Sequence, residues 1–171
     1  GNKNVTKIPF GGDYNPEQWP EEVWDEDMRL FALAGVDCVT LNVFSWASLQ
    51  PDEDTYCFDK LDKVMELVKK NGLHVILATS TAAHPAWMAR KYPEVLRTEF
   101  SGLRRKFGSR HNSCPNSPVF QKYSKRLAGK IAERYKKSGN IIAWHIGNEY
   151  GGACYCERCE AAFRVWLKEK Y

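Results

Sequence analysis

Asn140-Ile141-Ile142-Ala143-Trp144-His145-Ile146-Gly147-Asn148-Glu149-Tyr150 decides how this chain is read. The run is apolar without alternation, then breaks at glycine into an amide, a carboxylate and a phenol. A strand with one solvated face alternates apolar and polar residues, whereas a strand buried on both faces is apolar throughout. The same form recurs upstream. Leu73-His74-Val75-Ile76-Leu77-Ala78-Thr79 is a second such run, residues 36–46 are β-branched and aromatic enough for a third, and residues 7–12 form a short one ending in Gly11-Gly12.

Helical periods separate these runs. Pro20 suits the first position of a helix with Glu21 and Glu22 in its first turn; Trp24, Met28 and Phe31 follow at helical spacing, and Gly35 stops it. Phe58, Leu61, Met65 and Val68 mark a second helix closed by Asn71-Gly72. Ser117-Pro118 opens a third as cap and first residue, Tyr123, Leu127, Ile131 and Tyr135 line one face of it, and Ser138-Gly139 ends it. Residues 157–170 form a last helix, and residues 80–115 read as one long irregular stretch.

Strand followed by helix, four times over, predicts an α/β fold: a parallel sheet with right-handed crossovers and helices outside. Two closures compete, an open doubly wound sheet and half of an eight-fold barrel. The 171 residues are too few for a complete barrel, which takes about 250. No Gly-x-Gly-x-x-Gly turn follows the first strand, so nothing supports a dinucleotide fold. Polar residues gather where each strand ends, namely Asp13 and Asn15, Asn42 and Ser45, Thr79 and His84, Asn148 and Glu149. In barrel enzymes that rim carries the chemistry. The expectation is therefore a (β/α)8 TIM barrel of which residues 1–171 form the first half, four β/α units.

Composition narrows the function. With 43% hydrophobic and 27% charged residues the chain is an ordinary globular one. No apolar stretch approaches the roughly 18 residues needed to span a bilayer, so no membrane is expected. The net charge of +4 gathers at Arg97, Arg104, Arg105, Lys106, Arg110 and His111 and on the helix after Pro118. A solvated loop and an outer helix face account for it, and nucleic acid is not expected as a partner. The N-terminus begins without Met and lacks the apolar core of a signal peptide, which suggests a trimmed start, and the sequon Asn4-Val5-Thr6 is taken as chance.

Glu149 stands at the mouth of the fourth strand. Glycoside hydrolysis takes two carboxyl groups, one to protonate the departing oxygen and one to attack or activate water from the other face. The proton donor must stay protonated near neutrality, which calls for an apolar surrounding or a second carboxylate. Trp144 and Tyr150 are the candidates for that surrounding. The alternative is a Glu that merely pairs with a loop Arg.

Cys154-Tyr155-Cys156-Glu157-Arg158-Cys159 brings three thiols into six residues, and Cys114 lies upstream. Three thiolates on a tight loop converge readily on a metal, and a fourth completes a tetrahedral site with no place left for water. Structural zinc is the favoured reading; disulfides and free thiols are the alternatives. Cys38 and Cys57 are expected as small buried hydrophobes. Six cysteines with no secretion signal favour a reducing, cytoplasmic compartment.

Phe10-Gly11-Gly12-Asp13-Tyr14-Asn15-Pro16-Glu17-Gln18-Trp19-Pro20, Asn42-Val43-Phe44-Ser45-Trp46, Asn148-Glu149-Tyr150-Gly151 and the Cys-x-Cys-x-x-Cys loop together resemble glycoside hydrolase family 42, the β-galactosidases. The resemblance runs from about residue 8 to the C-terminus, with the motifs in order. It implies a (β/α)8 barrel whose acid/base follows strand four and whose nucleophile follows strand seven. Glu149 then matches the acid/base, Asn148 its substrate-binding neighbour, and Arg110 an arginine that contacts the terminal galactose. Cys114, Cys154, Cys156 and Cys159 match the ligands of a structural Zn2+. Asn15 and Trp19 fall in a family motif without a firm role.

The family's nucleophilic Glu falls beyond residue 171, and Glu17, Glu53 and Glu94 lie on other loops. The expectation is a retaining β-galactosidase as the parent activity, on a β-galactoside or galacto-oligosaccharide. This chain would carry the acid/base but not the nucleophile and would be inactive by itself, the C-terminal half and later domains being absent. Its partner would be a complementary C-terminal half of the barrel, or a second copy through exposed sheet edges. A non-catalytic carbohydrate-binding or half-barrel assembly module is the alternative.

Overall fold

The computed structural model describes residues 7–171; the start of the chain and the sequon at residues 4–6 lie outside the described residues. Four strands, β1 (Gly11–Asp13), β2 (Cys38–Leu41), β3 (His74–Ala78) and β4 (Ile141–His145), pair in parallel in the order β1-β2-β3-β4. That order decides between the two closures. A doubly wound sheet reverses direction at a switch point, whereas strands laid down in chain order wind one way only, as in a barrel. The sheet is half of a (β/α)8 barrel.

Helix α1 (Trp24–Ala34) leads from β1 to β2, and α2 (Trp46–Leu49) and α3 (Asp59–Lys70) lead to β3. The short α4 (Ala86–Lys91) and the long α5 (Pro118–Tyr135) precede β4, and α6 (Glu157–Lys170) follows it. Their ends carry the expected chemistry. Gly35 closes α1 in the left-handed conformation at φ 69, with its N–H on the carbonyls of Ala32 and Phe31. Ser117 caps α5 by accepting the Phe120 N–H at 3.3 Å, with Pro118 behind it. Tyr123, Leu127, Ile131 and Tyr135 are the buried stripe of α5, as their spacing predicts.

The core lies between the helices and one face of the sheet. Val39 and Leu41 of β2 and Val75 and Leu77 of β3 are sealed there at 2% exposure or less. They pack with Leu61, Met65 and Val68 of α3 and with the α5 stripe. The opposite face is not sealed: Thr40, His74 and Ile76 are half-buried. Strands covered on both faces were expected, and only the central pair comes near this. All of β1 is exposed, and Ala143 and Trp144 of β4 are exposed. Among the described residues each outer strand has a neighbour on one side only, and the barrel-lumen face is left partly open.

Several boundaries also depart from the periodicity. The run 36–46 is a strand only to Leu41, because Asn42 turns left-handed at φ 72 and donates its side-chain amide to the Ala78 carbonyl at 3.0 Å. Chain direction then changes, and Trp46 begins a helix. The helix expected from Pro20 starts at Trp24, after a 3-10 turn over Glu21–Val23. The irregular stretch 80–115 contains α4, a 3-10 turn at Pro93–Val95 and the bridges Leu96↔Ser113 and Thr98↔Arg104. Cys38 is buried as expected, but Cys57 is exposed, since it precedes α3 on the outer surface. Among the described residues no helix is long and apolar enough to cross a membrane.

Candidate active site and thiol cluster

The strands' C-terminal ends are stitched into one rim. Ser80, left-handed at φ 60, donates its hydroxyl to the Asn42 carbonyl and accepts the Ser45 N–H at 3.2 Å. The Ser45 hydroxyl reaches Glu17 Oε1 at 2.9 Å, and Thr79 Oγ1 accepts the Gly147 N–H at 3.2 Å. These bonds tie the loops after β1, β2, β3 and β4 at the same end of the sheet. Asn15 precedes the 3-10 turn Pro16–Gln18 in the first of them, and Trp19 stands half out of the surface just after it.

Glu149 rises from this rim on a left-handed residue, φ 44. Its Oε2 lies 2.8 Å from Arg110 Nη2 and 4.0 Å from His111 Nε2, and its side chain is 63% exposed. Arg110 in turn lies over the Phe44 ring, 5.7 Å from its centre. The loop arginine and the strand-four carboxylate thus meet as an ion pair. Asn148 lines a cavity of about 180 Å³ together with His111, Thr81, Tyr150 and Gly151.

The apolar jacket expected for Glu149 is only partly there. Trp144 pairs with Leu77, so it shares the helix-facing side of the sheet rather than the bowl. Tyr150 is 82% exposed, with its hydroxyl folded back against Gly147, where a Cβ would come within 2.4 Å of it.

Cys114, Cys154, Cys156 and Cys159 come together with all four sulfurs within 4.8 Å of one another, and none is in a disulfide. Cys114 Sγ lies 3.6 Å from Cys156 Sγ and 3.4 Å from Cys159 Sγ. A tetrahedral ion with metal–sulfur bonds of about 2.3 Å separates its ligand sulfurs by roughly 3.8 Å, so the cluster fits such an ion. The surroundings suit thiolates too. The Thr98 N–H points at Cys154 Sγ from 3.4 Å, and the Asn116 amide at Cys159 Sγ from 3.3 Å.

Burial drives the Cys114 thiol far above its usual range. At Cys156 burial acts in the same sense but is overcome by hydrogen bonds from the Cys159 backbone and the neighbouring thiols, which hold it at about 7. Four packed sulfurs cannot all ionise unaided, and a divalent cation removes that conflict.

Two residues of this region are buried without any local signal of it in the sequence. Arg97, expected in a solvated basic loop, is only 9% exposed; its Nε donates to the Ser113 carbonyl at 3.0 Å and its Nη1 to the Gly151 carbonyl at 2.8 Å. His84 is buried with Nδ1 2.6 Å from Ser113 Oγ, and burial pushes its pKa down to about 4. A lone Arg in a basic run and a lone His in a loop carry no sequence signal of burial.

A one-way parallel sheet with its polar groups gathered at the strands' C-terminal ends defines the barrel class, in which that end is the working face. Comparison with known sequences narrows the class. The profile of the family described as glycoside hydrolase 42, beta-galactosidase, matches residues 13–171, and the chain belongs to that family.

It is 61% identical over 171 residues to the beta-galactosidase BgaP of Planococcus sp. (strain L4), covering 99% of this chain and 25% of that protein. It is 48% identical over 167 residues to the beta-galactosidase LacZ of Lactobacillus acidophilus, covering 98% and 25%. Among solved structures, the beta-galactosidase from Bacillus circulans sp. alkalophilus superposes with a TM-score of 0.96 at 60% identity over 99% of this chain and 25% of that one. Gan42B, a GH42 beta-galactosidase from G. stearothermophilus, superposes at 0.95 with 42% identity over 98% and 25%. The chain thus spans about a quarter of the length of the relatives it matches, and corresponds to their N-terminal part.

Proposed function

We propose that this chain is the acid/base half of a retaining β-galactosidase barrel. Glu149 protonates the glycosidic oxygen of a β-galactoside or galacto-oligosaccharide, then as carboxylate takes a proton from the water that releases galactose. Arg110 and Asn148 hold the terminal galactose. The observation that carries this reading is the placement of Glu149 at the C-terminal end of β4, facing Arg110, in a chain of this family. With no sugar bound, Arg110 pairs with the Glu149 carboxyl group at 2.8 Å. The attacking carboxylate would come from the part of the barrel not contained in these residues, so the chain alone would not turn over.

Cys114, Cys154, Cys156 and Cys159 would hold a zinc ion. A four-thiolate ion has no open position, and what it supplies is a cross-link between the loops after β3 and β4. Ionised thiols of this kind persist in a reducing compartment such as the cytoplasm.

Glu149→Gln, made in a protein that contains the complete barrel, tests the assignment. Turnover of a β-galactoside with a poor leaving group should fall by about 10²–10⁴-fold with the fold intact, the range for losing a positioned general acid. Unchanged turnover would remove Glu149 from the mechanism.

A second reading, a half barrel that binds sugar or another polypeptide without catalysis, is favoured by the exposed apolar side chains of Trp144, Ile146 and Phe163. Galactose titration of the 171-residue chain by calorimetry separates a binding module from an inert fragment. Saturable binding without hydrolysis supports the binding module, and no binding at all removes it; Glu149→Gln in the complete barrel decides the catalytic reading.

A further inference from the structure

We propose that Arg97 is a positioning residue that couples metal binding at the four thiols to the placement of Glu149. The inference rests on the metal reading given above. Arg97 lies between the two features and touches the backbone of both. Its Nε holds the carbonyl of Ser113, the residue before Cys114, and its Nη1 holds the carbonyl of Gly151, two positions after Glu149.

The main chain around it continues the seam. Arg97 N–H donates to the Asn112 carbonyl at 3.1 Å, and the next residue, Thr98, donates its N–H to Cys154 Sγ and accepts the Tyr155 N–H at 2.9 Å. One short segment therefore grips the loop carrying Cys114 on one side and the loop carrying Glu149 and Cys154 on the other.

Charge gives the placement a reason. A guanidinium at 9% exposure is expensive to bury, yet among the described residues no carboxylate lies within ion-pairing distance of Arg97. Four thiolates around a divalent ion would carry a net charge of minus two, and Thr98, the residue after Arg97, already bonds one of those sulfurs. Gly152 shows how closely the guanidinium approaches: at its φ of 71 a Cβ would come 2.3 Å from Arg97 Nη1. The loop that follows Glu149 is thus shaped around the arginine. Binding of the ion fixes Cys154, fixing Cys154 seats residues 97 and 98, and Arg97 fixes Gly151 and with it the left-handed turn at Glu149.

Hydrogen exchange of the backbone amides of residues 147–152, with and without zinc, tests the coupling. Cobalt(II) absorption run in parallel reports whether four thiolates bind one ion. In the unmodified chain, loading should slow exchange of these amides by about tenfold or more. Arg97→Met and Arg97→Lys should retain the four-thiolate cobalt spectrum, yet loading should slow the same amides by less than about threefold, with Lys retaining more of the effect than Met because it can reach one carbonyl. A variant whose amides respond to zinc as strongly as the parent's overturns the proposal, as does a parent loop that exchanges equally fast in both states. If Arg97→Met loses its helical circular dichroism, Arg97→Lys decides alone. A parent chain without a four-thiolate spectrum overturns the metal assignment itself, which distinguishes that outcome from loss of coupling only.

Discussion

Glu53 shows how much one side chain can organise without touching substrate. Its carboxylate accepts hydrogen bonds from Lys91, from the Tyr92 hydroxyl at 2.6 Å and from the Tyr123 hydroxyl, and its backbone carbonyl takes the amide of the fully buried Gln50. Gln50 in turn serves the indole N–H groups of Trp46 and Trp87. Lys91 first, then Tyr123 and Tyr92, hold the Glu53 pKa down to about 2 against an ordinary 4.5. A depressed carboxylate pKa contributes stability above the unfolded value, and the contribution is lost as pH falls through the folded one. Acid titration followed by circular dichroism should therefore show stability declining between pH 4.5 and 2, and Glu53→Gln should lower stability at neutrality while flattening that decline.

His84 adds an earlier window. With burial holding its pKa at about 4 rather than 6.5, the unfolded chain binds the extra proton first, so stability should begin to fall below pH 6.5. His84→Gln should remove that early limb and leave the Glu53 limb in place.

Among the elements, α5 is the one the sequence describes most completely, because its cap, its stripe and its stop are all local signals. Truncating Leu127, fully buried at the centre of the stripe, should destabilise by about 2–5 kcal/mol in urea unfolding. Ser117→Ala should cost about 1 kcal/mol, the usual value of a lost N-cap. The thiol cluster was legible for a similar reason: three of its four members share one short loop.

What periodicity could not show were features made by contacts distant in sequence. Strand β2 stops at Leu41 because the Asn42 amide finds the Ala78 carbonyl, thirty-six positions on. Helix α4 is six residues long and owes its place to Trp87 and Met88 packing inward. Arg97 is buried by carbonyls of two loops that only the fold brings together. Glu149 could be placed at a strand end from sequence, but its partner Arg110 was legible only through family likeness, since the intervening stretch has no regular pattern.

At the scale of the whole molecule, apolar area stays open around β4 and α6. Trp144 and Ile146 at 40% and 68% exposure, and Phe163 and Trp166 of α6 at 57% and 46%, leave apolar area that monomeric proteins normally cover. Sedimentation velocity at rising concentration should show the isolated chain associating, and Trp144→Lys together with Phe163→Lys should shift it toward monomer. Metal loading should act on the whole domain as well. Free zinc at 100 times its Kd should add about 2.7 kcal/mol of stability, so a chelator should lower the melting temperature.

Cys114 and Cys156 stand 42 positions apart, and everything between them, α5 and β4 included, lies inside the ring that an ion at the four sulfurs would close. A protease that nicked this enclosed segment would produce two polypeptides on a denaturing gel that nonetheless travel as one particle in native buffer. The β3–β4 ladder and the core stripe of α5 would share that hold with the ion, so stripping the metal would loosen a nicked particle that had shown no sign of the cut.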